Sequence, residues 1–341
     1  MGDAAALAAA LRAAAPSEHA RWLDEPDEPA FQELLRARYG DTYSYRDFYQ
    51  PGGLARLWRS GALLSLGEYN DDGLMVAHTG LILHPGRDYA ESGLSLVHPR
   101  RRSAMTRAEH RRAWDHVLAR LRGVVGFLHQ HTSTLHPRAQ HYARRFMAAE
   151  PTGLVVDYTA GETLVGLDAS AAPMQALTMS TRLAPASPAA RHLPAGPWGE
   201  WLAATCERLG GGPCVLVPLA PAGLQNLVFG TCDDNRGLQL TRRWVVGLGD
   251  ASAELAAPGA RVDLVHLPVD DPGLVARGAA LLFAGGYLPV GVRPGRSVDT
   301  VVWQRLPDRA AARASAARAI VADADSKALF AGWIDRCAPT P

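Results

Sequence analysis

Apolar and polar positions follow two different periods along the chain, and each change of period marks an element. Residues 4–15 are alanine-rich with Leu7 and Leu11 four apart, which predicts a helix. The proline-bearing stretch 16–29 reads as a polar connector. Phe31, Leu34, Leu35 and Tyr39 then recur at helical spacing until Gly40, and a second helix is expected over about 50–60, carrying Leu54, Leu57 and Trp58. Leu63 to Tyr69 is an apolar run closed by Asn70-Asp71-Asp72-Gly73, a hairpin signal, so strands are expected at 63–69 and 74–83. A strand over Glu91 to Val97 stops at Pro99. A helix over 104–122 places Ala108, Trp114, Val117, Leu118 and Leu121 on one face. A strand at 124–134, a helix at 137–149 and a strand at 154–158 complete the first half.

Residues 168–198 are rich in Ala, Pro and Ser and read as a connection between domains, with room for a strand near 177–183. Beyond it the pattern predicts a helix at 199–209 and strands at 214–218, 224–231, 239–247 and 262–268. A helix at 271–284, a hairpin of strands at 287–293 and 299–306, and a helical segment at 308–336 follow. A hairpin feeding a strand–helix–strand crossover gives an α/β fold of the α+β kind, a mixed sheet flanked by helices. The implied division is an N-terminal helix and connector (1–29), a first domain (30–165), a linker region (166–198) and a second domain (199–341).

The length of 341 residues fits two domains, and a chain that is 48% hydrophobic and 20% charged is globular. Thirty-five basic and 34 acidic residues leave a net charge of +1, which argues against a nucleic-acid coat or an anionic-membrane binder. Lys327 is the only lysine, so lysine-based chemistry has one candidate near the C-terminus, and arginine clusters partly reflect composition. Cys206, Cys214, Cys232 and Cys337 are irregularly spaced without a CxxC pair, which suggests neither a zinc site nor a redox motif. The start of the chain lacks the pattern of a signal peptide, and no apolar run approaches the ~20 residues of a membrane span. A cytoplasmic, soluble protein is the expectation.

Three segments carry a family resemblance: GEYNDDGLMVAHTGLIL (67–83), ESGLSLVHPRRRSAM (91–105) and GFLHQHTSTLHPRAQHYARRF (126–146). Over about residues 30–160 the chain resembles the GNAT N-acetyltransferase superfamily. The second half resembles a degenerate module of the same kind, mainly through 262–306, so the resemblance implies tandem GNAT-like modules. It further implies that one strand splays from its neighbour and that acetyl-CoA or another acyl-CoA lies in the gap as co-substrate. The following turn would then present backbone N–H groups to the diphosphate at a helix start. In this chain Met105 and Arg107 stand where the family motif carries small residues, and the second half has no such turn.

The resemblance implies an acyl-CoA-dependent N-acyltransferase that works by direct transfer to a small-molecule amine. It leaves open a non-catalytic binding or regulatory protein, and a transferase using another activated donor such as an aminoacyl-tRNA. It calls for no metal, no membrane and no nucleic-acid partner, and is compatible with a homodimer. Glu91, at the start of the strand before the turn, is the candidate base; an exposed strand-end glutamate is the alternative. Nine of the 12 histidines lie between His78 and His141. Two of these, His129 and His131, share one face of a strand, where His131 is a second candidate base. With His136 or His141 the pair could also ligate a metal, and simple packing is the third reading. Tyr142 is the candidate acid toward the leaving thiolate, or a core tyrosine beside Phe146. The cofactor-binding set is Leu96, Val97, Arg102, Ser103, Ala104 and Met105, with Arg102 backed for phosphate contact. Tyr43, Tyr45, Phe48 and Tyr49 line either an acceptor pocket or the core.

Overall fold

The computed structural model describes residues 4–13, 17–84, 87–159, 162, 164–165, 173–221, 225–235, 237–249 and 259–337. The first half runs α1 (Ala4–Arg12), β1 (Ala20–Trp22), α2 (Glu28–Tyr39), α3 (Ala55–Ser60), β2 (Leu63–Tyr69), β3 (Met75–Leu83) and β4 (Tyr89–Val97). It continues through α4 (Arg107–Leu121), β5 (Phe127–Ser133), α5 (Arg138–Met147), β6 (Glu150–Thr159) and β7 (Met174–Arg182). The second half contains β8 (Arg191–Pro194), α6 (Pro197–Leu209), β9 (Cys214–Val217), β10 (Asn226–Asn235), β11 (Leu240–Gly249) and β12 (Val262–Pro268). Then come α7 (Pro272–Ala284), β13 (Tyr287–Arg293), β14 (Thr300–Arg305), α8 (Arg309–Ala316) and α9 (Ala324–Arg336). Among the described residues no helix is long and apolar enough to cross a membrane.

One 12-stranded mixed sheet runs through both halves in the order β1-β2-β3-β4-β5-β7-β6-β13-β14-β12-β11-β10. Read inward to the β6–β13 contact, the two arms repeat one connectivity: β10-β11-β12-β14-β13 has the order of β3-β4-β5-β7-β6. The parallel neighbours match as well, β4 with β5 and β11 with β12. The arms join antiparallel at Gly153 opposite Gly291. A Cβ on either glycine would sit at 2.5 or 2.4 Å from the other strand's backbone oxygens, so only hydrogen fits. Gln304 supports the joint: its side-chain amide bonds both the N–H and the C=O of Val156 (2.9 and 2.8 Å).

Helices cover both faces. Leu35, Phe31, Leu54 and Trp58 of α2, its following loop and α3 pack over β2–β4, and α4 and α5 cover the opposite face with Leu121, Ala143 and Phe146. Local chemistry sets the helix starts. Thr106 and Glu109 form a reciprocal capping box at α4, and Asp271, Asp308 and Asp323 cap α7, α8 and α9.

Four expectations need correction. The connector at 16–29 holds a short edge strand, β1, and the start of α2. The helix expected from residue 50 begins at Ala55, because Pro51-Gly52-Gly53 holds turns instead. The strand expected near 177–183 within the linker region is β7 (174–182), paired between β5 and β6, so the linker cannot reach across these residues. The terminal helical segment breaks at 317–323, where Gln140 donates to the Ile320 carbonyl (2.8 Å) and accepts from the Ala322 N–H (2.7 Å).

Candidate active site

The parallel pairing of β4 with β5 covers Tyr89–Phe127, Ala90–Leu128 and Glu91–His129, and then ends although both strands continue. Leu94 explains the parting. It sits at φ +53 as a bulge where the β3 register slips between His78 and Gly80, and such a bulge bends its strand. Beyond Glu91, β4 therefore stays bonded to β3 while its other edge turns away from β5. The second arm does the same: β11 and β12 pair up to Trp244–His266, and the β10–β11 register shifts beside Phe229. There the Trp244 ring is stacked on His266 (centroids 4.6 Å apart) and covered by the Arg87 guanidinium at 4.2 Å.

Glu91 and His129 are register partners and share a sheet face with His131. Glu91 has a side chain 12% exposed, with His84 Nε2 at 3.7 Å and Arg242 Nη2 at 3.9 Å. Burial pushes its carboxyl up, but His84, Arg242 and His131 outweigh this and hold it below the usual carboxylate range. His131 is within 3.1 Å of His129 (Nε2 to Nε2) and 3.3 Å of Arg242. Burial lowers the His131 pKa to about 3, so this imidazole is neutral. The Tyr158 ring lies 4.6 Å from it. Tyr45 reaches the same region from the other side, its hydroxyl bonded by Asn235 of β10. Tyr43, Tyr45 and Phe48 stack on one another there.

Tyr142 lies on the opposite face. Its hydroxyl accepts from Trp114 Nε1 (2.8 Å) and meets His110 Nδ1 (3.1 Å), beside a cavity of about 30 Å3 that Glu68, Thr79 and Leu81 also line. Burial raises its pKa. Ser103 and Met105 belong to this side: the Ser103 hydroxyl donates to Glu68 (2.5 Å) and the Met105 N–H donates to the same carboxylate oxygen (3.3 Å). The Met105 side chain is buried against Ala20, Ala113 and Leu66, toward the β1–β2 edge and away from the β4–β5 opening. Arg100, Arg101 and Arg102 are exposed at the turn, with Ala104 half-buried behind them. Leu96 packs under α2, and Val97 is exposed at the end of β4.

The structure thus brings Glu91 and His131 together, sets Tyr142 across the sheet from them, and groups Arg102 to Met105 at the start of α4. Reading the sequence missed His84, Arg242, Arg293 and His266. Arg242-Arg243 inside the apolar strand pattern at 239–247 was the available signal, obscured by the arginine-rich composition. Among the described residues, no group of three His, Cys, Asp or Glu side chains is arranged to hold a metal ion.

No family model matches the sequence, and no curated protein does. Over about half its length the chain is similar in structure to GNAT acetyltransferases. One is spermidine N-acetyltransferase from Vibrio cholerae in complex with CoA and spermine, at 14% identity and TM-score 0.36, covering 49% of this chain and 97% of that one. A mutant form of the Vibrio cholerae spermidine/spermine N-acetyltransferase has 15% identity and TM-score 0.37, covering 49% and 95%. Ribosomal-protein-S5-alanine acetyltransferase from Vibrio fischeri has 11% identity and TM-score 0.36, covering 49% and 94%.

Proposed function

We propose that the chain is an acyl-CoA-dependent N-acyltransferase built from two GNAT-like arms, with the first arm hosting the donor and a small-molecule amine as acceptor. The opening of β4 from β5 beyond Glu91 carries this reading. A strand edge released from its neighbour presents N–H and C=O groups to a ligand that itself contains amides, as the arm of CoA does. The donor enters from the α4–α5 side, where Arg100, Arg101 and Arg102 meet its phosphates and Tyr142 faces the thioester. The acceptor enters from the side of Tyr45 and Tyr158, and the two meet at the opening. The amine nitrogen attacks the thioester carbonyl, the C–S bond breaks, and the thiolate takes a proton as the amine loses one. Glu91, held ionised, is a weak base; its charge supports His84, which receives the amine proton.

The turn favours a second reading. The Met105 N–H and Ser103 hydroxyl are already satisfied by Glu68, and the Thr106 N–H donates to Glu109 (2.7 Å), so donors that would greet a diphosphate are engaged by the chain's own carboxylates. A non-catalytic binding protein with this fold follows if no donor binds. Thermal shift with acetyl-CoA separates the two, because a bound co-substrate stabilises the native state by mass action. Stabilisation is expected, and Arg102→Glu should weaken CoA binding by more than about 1 kcal/mol in calorimetry. Absence of any shift with CoA or its esters, together with no transfer to a panel of amines, would leave only the binding reading.

A further inference from the structure

At the joint between the arms, on the face that carries Glu91, lies a cavity of about 20 Å3 lined by residues of both arms. Gly153 and Gly291 form its floor, and Arg242, Arg293, His131 and His266 are among its walls. Arg293 is 4% exposed, yet its Nε and Nη2 have no hydrogen-bond partner. Those two atoms form one edge of the guanidinium, the pair that meets both oxygens of a carboxylate at once. The flat side of the group is occupied, stacked 3.8 Å over the Tyr89 ring, which fixes where the edge points. His266, 2% exposed, lines the same cavity with Nε2 unpartnered, while its Nδ1 meets the Thr300 hydroxyl at 3.4 Å. With Nδ1 accepting from Thr300, Nε2 carries the proton and becomes a third donor into the space.

The charges agree. Arg242 has Glu91 as its counter-ion at 3.9 Å, and no ion pair forms at Arg293 among the described residues. A buried guanidinium without a counter-charge is costly, and leaving its N–H donors without acceptors adds to that cost. Neutral histidines around it add no charge of either sign. An anion in the cavity removes both costs. A space of about 20 Å3 exceeds the roughly 10–15 Å3 that a single water needs, so a small polar group can enter it.

We propose that this chamber binds a carboxylate group, either a short carboxylate or the carboxylate end of a longer molecule, through the free edge of Arg293 and the His266 Nε2–H. The site needs no acyl donor, so it stands or falls apart from the transferase reading.

The test uses the full chain near pH 7.5, with sodium formate and sodium acetate titrated against sodium chloride at equal ionic strength. Formate and acetate should raise the melting temperature saturably, and chloride should not. Arg293→Lys keeps the charge but lacks the two-pronged edge; it should melt close to the parent protein and bind acetate at least about tenfold more weakly. Arg293→Met should abolish the response without lowering the melting temperature in the absence of carboxylate, since an uncompensated charge is removed. Three results overturn the proposal: no saturable carboxylate effect on the parent protein, an undiminished effect in Arg293→Met, or an equal response to chloride. Should the methionine variant fail to fold, an acetate affinity unchanged in Arg293→Lys has the same force.

Discussion

At the scale of single residues, the candidate site depends on a charge that one arm lends to the other. Glu91 belongs to β4 and Arg242 to β11, and their 3.9 Å approach on a buried face makes each the other's compensation. Removing one member of such a pair strands its partner, which costs more than the pair contributes when intact. Glu91→Gln is therefore expected to lower the unfolding free energy by about 3–5 kcal/mol, with Arg242→Met added to it restoring most of the loss. Urea denaturation of the two single variants and the double variant measures this. Strictly additive effects would show that the two side chains do not sense each other. Glu91 was legible as a candidate because it opens an apolar strand before a Pro-containing turn. Arg242 was not, since its role appears only when β11 is laid fourth beyond the joint, after β13, β14 and β12.

Elements with strong local signals emerged near their observed bounds. The runs at 262–268 and 287–293 are predominantly apolar, and the structure gives β12 and β13 at those limits. β7 was legible only as a strand near 177–183 inside an expected connection, because MQALTMSTR dilutes its apolar positions with Ser and Thr and sits among Ala/Pro-rich residues. It is nonetheless buried along most of its length, because both its edges are paired. Pairing at long range, invisible to a local window, decided it. The same element carries a second cross-arm anchor. Asp299 accepts from Arg182 at the end of β7 (3.0 Å), from Arg191 of β8 (2.7 Å) and from the Gly295 N–H (2.9 Å), with the carboxylate only 5% exposed. One buried carboxylate thus holds two guanidinium groups and a turn. Asp299→Asn retains the shape but leaves both arginines uncompensated, and a loss of about 3–5 kcal/mol is expected in equilibrium unfolding. A loss below 1 kcal/mol would mean that the anchor is dispensable and that packing alone orders β7 and β8.

Across the whole molecule, the sheet is continuous through the glycine joint, so both arms should unfold together, and their shared chemistry should be visible in one titration. Three histidines, His78, His129 and His266, are 3% exposed or less, and a fourth, His131, is half-buried in area but enclosed by charged neighbours. Burial lowers all four, His78 to about 4 and His131 to about 3, and holds His129 and His266 well below the usual imidazole range. In the unfolded chain these imidazoles take up protons near pH 6.5. Between that pH and the lower folded values, the unfolded state binds more protons than the native one, so stability must fall as the pH drops. The slope approaches about 1.4 kcal/mol per pH unit for each such histidine once the pH is well below 6.5. Glu91 works in the same direction, since its carboxyl is depressed in the fold, but only below the ordinary carboxylate range. A loss that begins between pH 6.5 and 5 therefore belongs to the histidines. Chemical denaturation at a series of pH values should show stability level above about pH 7.5 and falling steeply below 6.5, with a smaller slope in His131→Asn. A flat profile down to pH 5 would mean that these rings are protonated in the native state, and the chamber described above, lined by two guanidinium groups and neutral imidazoles, would then be charged quite differently.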